Sequence, residues 1–211
     1  MPDQDQDARE LLEAGRFEEV AHDEHPLWRG LALLELKKFD EAARIFQAAE
    51  GAKDSASMLE LAGAARWLQG QREQAVELWI SALEAGHETP ADAVRAPALL
   101  LYAGARLNDE RYTRRGTRLL GKLWKPKLSR RWPGPVAGFL LGEVEVQPFI
   151  AEGFENPALE ARRLTSAHFW AGVRAGSGPE ARAHFQAAAD QEGPGVLEVE
   201  HHLARGELET P

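Results

Sequence analysis

Two stretches of the sequence, 33 residues apart, carry the same kinds of residue in the same order. The first reads FDEAARIFQAA from Phe39, and the second reads REQAVELWISA from Arg72. Upstream of them, Gly30 falls on Gly63 at the same offset. A period of this length is typical of a repeated pair of helices, which buries its apolar face only by stacking on a neighbouring pair. The repeat therefore predicts a stack of helical hairpins.

The remainder of the chain also favours helices. Its apolar positions recur at intervals of three and four, β-branched residues are sparse, and Gly and Pro separate the periodic segments. The 211 residues, of which 44% are apolar, suffice for one well-buried core. We therefore predict an all-α protein with a single domain.

The repeat resembles the tetratricopeptide repeat (TPR), in which small residues let two helices approach closely and an aromatic residue fills the space between hairpins. The matching positions are Gly30, Ala42, Phe46 and Ala49 in one repeat, and Gly63, Gly70, Ala75, Trp79 and Ala82 in the next. The resemblance implies a right-handed superhelical stack of about four TPR-like hairpins, whose first helices line a groove.

The predicted domain covers residues 1–211. Its parts are an amino-terminal half repeat (1–22), three repeats of which the third is degenerate (23–126), a proline-containing connection with a short helix (127–160), and a carboxy-terminal hairpin with a capping helix (161–211). In the last hairpin the sequence FQAA begins at Phe185, and in the first hairpin the same sequence begins at Phe46. The carboxy-terminal half is similar to that of some bacterial TPR proteins, including lipoproteins, although the cysteine that anchors a lipoprotein is missing.

TPR arrays bind partner peptides in the groove, and the resemblance carries this role to nine positions. They are Glu24, Leu27, Leu31, Glu35, Glu60, Ala64, Trp67, Leu101 and Asn108. Aromatic residues surrounded by carboxylates suit a basic, partly apolar peptide or helix. Trp67 has two interpretations, one in the groove and one packed in the core.

The charge of the chain is distributed unevenly. The net charge is −9, but residues 111–131 contain nine Lys or Arg and no Asp or Glu, so the remaining residues sum to −18. On a helix, five of these cations fall on one side, opposite an apolar side. This basic stripe consists of Arg111, Arg115, Arg118, Lys122 and Lys125. It is either an anion-binding surface for nucleic-acid phosphates, an acidic partner or anionic lipid, or a solvated helix face.

Candidate sites for metals and catalysis are weak. The chain has no cysteine and carries no phosphate-binding loop, dinucleotide fingerprint or nucleophile elbow, so we predict a protein that is not an enzyme and has no cofactor or metal site. Pro26 predicts the end of a helix, which makes His22 to His25 an exposed acidic turn. His201 and His202 point about 100° apart on a helix, too far for one ion. His168 and His184 can approach each other across their hairpin.

The function predicted from these patterns is a non-catalytic protein–protein interaction module, an adaptor or scaffold, with a partner segment in the TPR groove. Two alternatives stay open: an immunity or inhibitor protein that neutralises a basic toxin, and a nucleic-acid or anion binder that uses residues 111–131. Apolar runs fall short of the roughly 20 residues of a membrane span. The acidic amino terminus does not resemble an export signal, so the expected location is cytoplasmic.

Overall fold

A computed structural model describes residues 2–49, 51–87, 89, 91–124, 132–151, 156–191 and 193–209. These residues form helices and contain no β-strand, which confirms the all-α prediction for the described part of the chain. The α-helices are α1 (Pro2–Glu13), α2 (Phe17–Val20), α3 (Pro26–Glu35), α4 (Phe39–Ala48), α5 (Ala56–Leu68), α6 (Arg72–Ala82), α7 (Arg95–Leu107), α8 (Glu110–Leu123), α9 (Pro135–Leu140), α10 (Val146–Ala151), α11 (Pro157–Ala175), α12 (Pro179–Ala189) and α13 (Val199–Glu209). Short 3-10 helices span Ala52–Asp54, Asp92–Val94 and Gly193–Leu197.

Four hairpins dominate the fold: α3 with α4, α5 with α6, α7 with α8, and α11 with α12. Only two or three residues join the helices of each pair. Every one of these turns contains a residue with positive φ, namely Lys37 (58°), Gly70 (86°), Asn108 (52°) and Gly176 (82°). Gly and Asn adopt this left-handed conformation most readily, so the residue types at three of the turns explain why the helices end there.

A glycine of the first helix faces an aromatic ring of the second helix in three hairpins. The pairs are Gly30 with Phe46, Gly63 with Trp79, and Gly172 with Phe185, and a Cβ added at any of these glycines would lie 2.3 to 2.6 Å from the ring. That distance is far below van der Waals contact, so the backbone of the first helix lies directly against the ring. In the third hairpin the partner of Gly104 is Thr113, which is not aromatic.

Replacing Gly63 by alanine tests this contact. At an exposed helix position, alanine stabilises the helix by about 1 kcal/mol relative to glycine. At Gly63, however, the added methyl group collides with Trp79. We therefore expect a loss of about 1–3 kcal/mol in the free energy of unfolding, measured in urea. Gly121 of α8 is the matched control, because a Cβ there meets nothing within 4 Å. Equal effects at the two positions would contradict the packing argument.

The last helix, α13, lies against the first helices of all four hairpins. It packs on α5, α11 and α12, and its side chains bond to Glu35 of α3 and Arg106 of α7. Leu203 and Ala204, in the middle of α13, are fully buried. We call α13 the axial helix because it contacts all four hairpins.

The predicted connection between the third and last hairpins contains two short helices, α9 and α10, where the sequence predicted one. Residues 127–131 and 152–155 of this connection lie outside the described residues. Phe139 and Phe149 stack with ring centroids 4.1 Å apart and join the two short helices. Among the described helices, none has the length and apolar character needed to cross a membrane.

Candidate functional site

The structure places five of the nine predicted groove residues in the interior. Leu31, Glu60, Ala64 and Trp67 are at most 3% exposed, and the side chain of Glu35 is 4% exposed. These residues do not line an open groove, because the axial helix lies against the helices that carry them. The prediction of a free partner-binding surface at these five positions is therefore wrong.

The other four predicted positions lie closer to solvent. Glu24 and Asn108 are exposed, and Leu27 and Leu101 are partly buried. They fall into two groups along the chain, since Glu24 precedes α3 and Leu27 lies in its first turn, whereas Leu101 lies in α7 and Asn108 directly follows α7. Glu24 lines a separate cleft near the amino terminus.

Trp67 packs in the core. Its ring centroid lies 5.3 Å from that of Trp79 and 5.1 Å from that of Tyr102. The guanidinium of Arg72 covers the ring at 4.1 Å from the centroid. Of the two interpretations of Trp67, the core interpretation is confirmed.

Glu35 anchors the axial helix to α3. Its carboxylate accepts a hydrogen bond from Arg205, and its Oε1 lies 3.0 Å from Nδ1 of His202 and 3.4 Å from Nε2 of His201. Burial alone would raise the pKa of Glu35, but hydrogen bonds from the two histidines hold that pKa well below its usual range. Burial lowers the pKa of His201, so its neutral imidazole donates to an ionised carboxylate. The two histidines, expected to point apart, thus reach one carboxylate.

A second buried cluster surrounds Arg95 at the amino-terminal end of the axial helix. Arg95 donates to Glu198 at 3.2 Å, and Glu198 also accepts from Arg162 at 2.5 Å. Burial would raise the pKa of Glu198, but the two arginines lower it. Glu198 is therefore ionised, and its ion pairs tie the start of the axial helix to α7 and α11.

Glu60 and Glu200 lie in the same cluster, but their pKa values are raised, whereas that of Glu198 is lowered. Burial raises the pKa of Glu60 to about 8, although the charge of Arg95 opposes the rise. Burial also raises the pKa of Glu200, which accepts from Ser166 at 2.8 Å and from Trp170 at 3.0 Å. Glu60 is consequently protonated at neutral pH, and its Oε1 has no hydrogen-bond partner among the described residues.

Other polar groups of the axial helix are also paired with the hairpins. Glu207 accepts from the hydroxyl of Tyr102 at 2.6 Å and from Arg106 at 2.8 Å. An opening of about 490 Å³ lies where α1, α2, α12 and the axial helix meet, but Glu35, His201 and Arg205, which line it, already bond to one another. The polar groups at the centre of the protein therefore hold the axial helix, while side-chain atoms of Glu60, Glu200, His201 and His202 there have no hydrogen-bond partner among the described residues.

An accessible cleft of about 430 Å³ lies between α1, α2 and the start of α3. We call it the amino-terminal cleft; it is lined by five carboxylates and by apolar side chains. The carboxylates are Asp5, Asp7, Glu19, Asp23 and Glu24, and the apolar residues are Ala8, Leu11, Val20 and Pro26. Asp7 and Glu24 are exposed, and their side chains form no hydrogen bond or ion pair with another described residue. The cleft therefore presents uncompensated negative charge beside an apolar surface.

The basic stripe lies on the outer side of the third hairpin. Arg111 pairs with Asp109 at 2.7 Å, whereas Arg115, Arg118 and Lys122 form no ion pair with any described residue. Lys125 lies outside the described residues. The opposite side of α8 packs on α7, as the apolar pattern predicts, and Leu120 there is fully buried.

Four other histidines, which the sequence singled out, occupy two different environments. Nδ1 of His168 lies 3.1 Å from Nδ1 of His184, so the predicted approach across the last hairpin is confirmed. Burial and the charge of His184 lower the pKa of His168. His22 and His25 lie in an exposed turn, but Pro26 begins α3 rather than ending a helix, because proline is well tolerated in a first turn.

Metal binding finds no support in the part of the chain that the structure describes. There, no three His, Asp or Glu side chains are grouped so that they could hold a metal ion. In comparisons with known proteins, no family model matches this chain and no curated protein matches it. The amino-terminal cleft and the basic stripe are therefore interpreted from their own geometry and charge.

Proposed function

We propose that the chain is a non-catalytic protein–protein interaction module, an adaptor or scaffold, and that its amino-terminal cleft binds a basic, partly apolar segment of a partner protein. The observation that carries the proposal is the lining of this cleft, where five carboxylates adjoin apolar side chains. A volume of about 430 Å³ accommodates a few side chains of a bound segment. Lys or Arg of the partner would pair with Asp7 and Glu24, while its apolar residues cover Leu11 and Val20.

Binding of a partner at the buried positions would cost more free energy than binding in the amino-terminal cleft. A partner helix there would have to displace the axial helix and separate Glu35 from Arg205 and Glu198 from Arg95. Breaking a buried ion pair costs about 3–5 kcal/mol. The amino-terminal cleft is accessible without any such rearrangement, so it is the better candidate for the partner site.

We also propose that the hairpins form a right-handed TPR-like superhelical stack of about four units. The recurring contact between a glycine and an aromatic ring supports this architecture, as does the packing of α4 on α5 and of α6 on α7. In such a superhelix the axial helix, which contacts all four hairpins, would occupy the groove. Neutralisation of a basic toxin would use the same cleft and would show very tight, salt-sensitive binding.

Reversing the charge of the cleft tests the proposed function. Partners captured from host lysate are identified by mass spectrometry, and the affinity of the purified partner is then measured for wild type and for an Asp7→Lys/Glu24→Lys variant. We expect the variant to bind at least about tenfold more weakly, because two attractive contacts become repulsive.

The matched control is Glu73→Lys/Glu77→Lys on the exposed side of α6, which changes the net charge equally. This control should keep the wild-type affinity within about twofold. If both variants lose the partner to the same extent, general charge and not the cleft is responsible. If neither variant loses the partner, the amino-terminal cleft is not the site.

A further inference from the structure

We propose that the basic stripe of α8 is a second docking surface and that it binds an acidic helical segment of another protein. The described part of this surface consists of Arg111, Arg115, Arg118 and Lys122. It lies on the outer side of the third hairpin and is separate from the amino-terminal cleft between α1, α2 and α3. The inference therefore does not depend on the proposed function of that cleft.

The first observation is that three cations of the stripe form no ion pair with any residue that the structure describes. Several exposed arginines elsewhere pair with a carboxylate on their own helix or turn, as Arg16 does with Glu19 and Arg44 with Asp40. On α8 the only carboxylate is Glu110, which lies 3.5 Å from Arg114. Arg115, Arg118 and Lys122 consequently leave positive charge uncompensated on a protein whose net charge is −9.

The second observation is that α8 is held in a fixed orientation. A Cβ added at Gly116 would lie 2.7 Å from the carbonyl oxygen of Pro97, so α8 and α7 are in direct backbone contact. At the start of α8, the side chain of Asp109 accepts a hydrogen bond from the backbone N–H of Arg111 at 2.8 Å. The backbone of α8 is therefore fixed against α7, with Arg111, Arg118 and Lys122 exposed and Arg115 half-buried.

The spacing of the row favours an acidic helix as its partner. Arg111, Arg115, Arg118 and Lys122 follow one another at intervals of four, three and four residues. At a rise of about 1.5 Å per residue they span roughly 16 Å along the helix. Carboxylates at the same intervals on a partner helix lie along one face and oppose the cations one by one.

Nucleic acid fits this surface less well than an acidic helix does. Proteins that bind single strands combine basic residues with aromatic rings on which bases stack. The rings near the stripe are already occupied, since Tyr112 lies under the guanidinium of Arg111 and Trp124 packs against Gly138. A duplex would extend past the short stripe and meet the acidic remainder of the molecule, which repels phosphates. A short acidic segment contacts the stripe alone.

The test uses a labelled peptide about 14 residues long, the length of α8, with glutamate at intervals of three and four. Its affinity for the full-length protein is measured by fluorescence anisotropy and compared with that of a single-stranded oligonucleotide and a duplex of similar length. We expect the peptide to bind most tightly. Its affinity should fall at least about tenfold in an Arg115→Glu/Arg118→Glu/Lys122→Glu variant.

Two further variants keep the test specific. A Lys38→Glu/Arg44→Glu/Arg182→Glu variant changes the net charge equally on other exposed surfaces and should bind the peptide within about twofold of wild type. An Arg115→Gln/Arg118→Gln/Lys122→Gln variant removes the cations without adding repulsion and should weaken binding by an intermediate factor. Circular dichroism establishes that all three variants are folded.

Each other outcome overturns the proposal. Tighter binding of either oligonucleotide, lost in the stripe variant, would identify a nucleic-acid surface. Equal losses in the stripe and control variants would mean that net charge alone attracts the peptide. Self-association of the wild-type protein at low salt that the stripe variant abolishes would identify a second copy of this chain as the occupant, and absence of peptide binding would exclude an acidic helix.

Discussion

Replacing Glu60 by glutamine will make the stability of the protein less sensitive to a rise of pH from about 5 to about 8. Burial raises the pKa of Glu60 to about 8 from an ordinary value of 4.5. Between these two values the folded protein holds a proton that the unfolded chain releases, so the stability of the wild type falls as pH rises from about 4.5 to about 8. Glutamine has no proton to lose, and the variant should lack this decline.

The expected size of the effect follows from the difference between the two pKa values. Each pKa unit corresponds to about 1.4 kcal/mol, so the decline due to Glu60 is on the order of 4 kcal/mol between pH 5 and pH 8. We would measure the free energy of unfolding in urea at both pH values. The Glu60→Gln variant should gain a few kcal/mol relative to wild type on going from pH 5 to pH 8.

The surroundings of Glu60 explain why its carboxyl group keeps the proton. Arg95 favours ionisation, but burial opposes it, and the carboxylates of Glu200, Asp92 and Glu198 add repulsion. A Glu73→Gln variant is the control, because Glu73 is exposed and gains nothing from burial. If the stabilities of wild type and Glu60→Gln change in parallel with pH, Glu60 does not carry a proton in the folded protein.

Among the substitutions considered, replacing Glu35 by alanine should produce the largest loss in the free energy of unfolding at neutral pH. The change leaves Arg205 without its carboxylate and removes the acceptor for His201 and His202. Removing one partner of a buried ion pair costs about 3–5 kcal/mol. Urea unfolding at pH 7 measures this loss, and hydrogen exchange should show that the amides of α13 lose protection first.

A second ion pair between the axial helix and the first hairpin provides the control. Lys37 and Glu209 are joined at 2.6 Å, but both side chains are more than half exposed. The Glu209→Ala variant should therefore lose at most about 1 kcal/mol. Equal losses at Glu35 and Glu209 would show that burial does not strengthen the anchor of the axial helix.

The Glu35 variant should also change the response to acid. The pKa of Glu35 lies well below its usual value, so its stabilising contribution is present above about pH 4.5 and is lost as pH falls below that value. The pKa of His201 is also lowered, which means that the unfolded chain takes up its proton first as pH falls below about 6.5. Wild-type stability should decline through this range, and the decline due to Glu35 should disappear in Glu35→Ala.

The candidate site could be predicted only in part. Glu24 was among the predicted binding positions and lines the amino-terminal cleft, but Asp5 and Asp7 join it only because α1 packs beside α2. The amphipathic pattern of α8 placed its cations on one side, since that pattern depends on helix geometry alone. The pattern could not show whether neighbouring carboxylates neutralise Arg115, Arg118 and Lys122.

The hairpins were predictable because their contacts are local in the chain. Gly30 meets Phe46, and Gly63 meets Trp79, at the same sequence separation, so one period in the sequence records both contacts. Trp67 was ambiguous, because a ring at that helix position can face either the groove or the core. Its burial against Tyr102 depends on how the second hairpin packs on the third.

The position of the axial helix followed from tertiary packing alone. Arg205 bonds to Glu35 across 170 residues, and Arg106 bonds to Glu207 across 101 residues. A pair so far apart leaves no periodic pattern in a single sequence, since each residue by itself resembles an ordinary solvated charge on a helix. Only the folded chain shows that these charges meet inside the protein, where burial shifts their pKa values. It also shows that positions such as Leu31 and Ala64, which the resemblance predicted to be open, are buried.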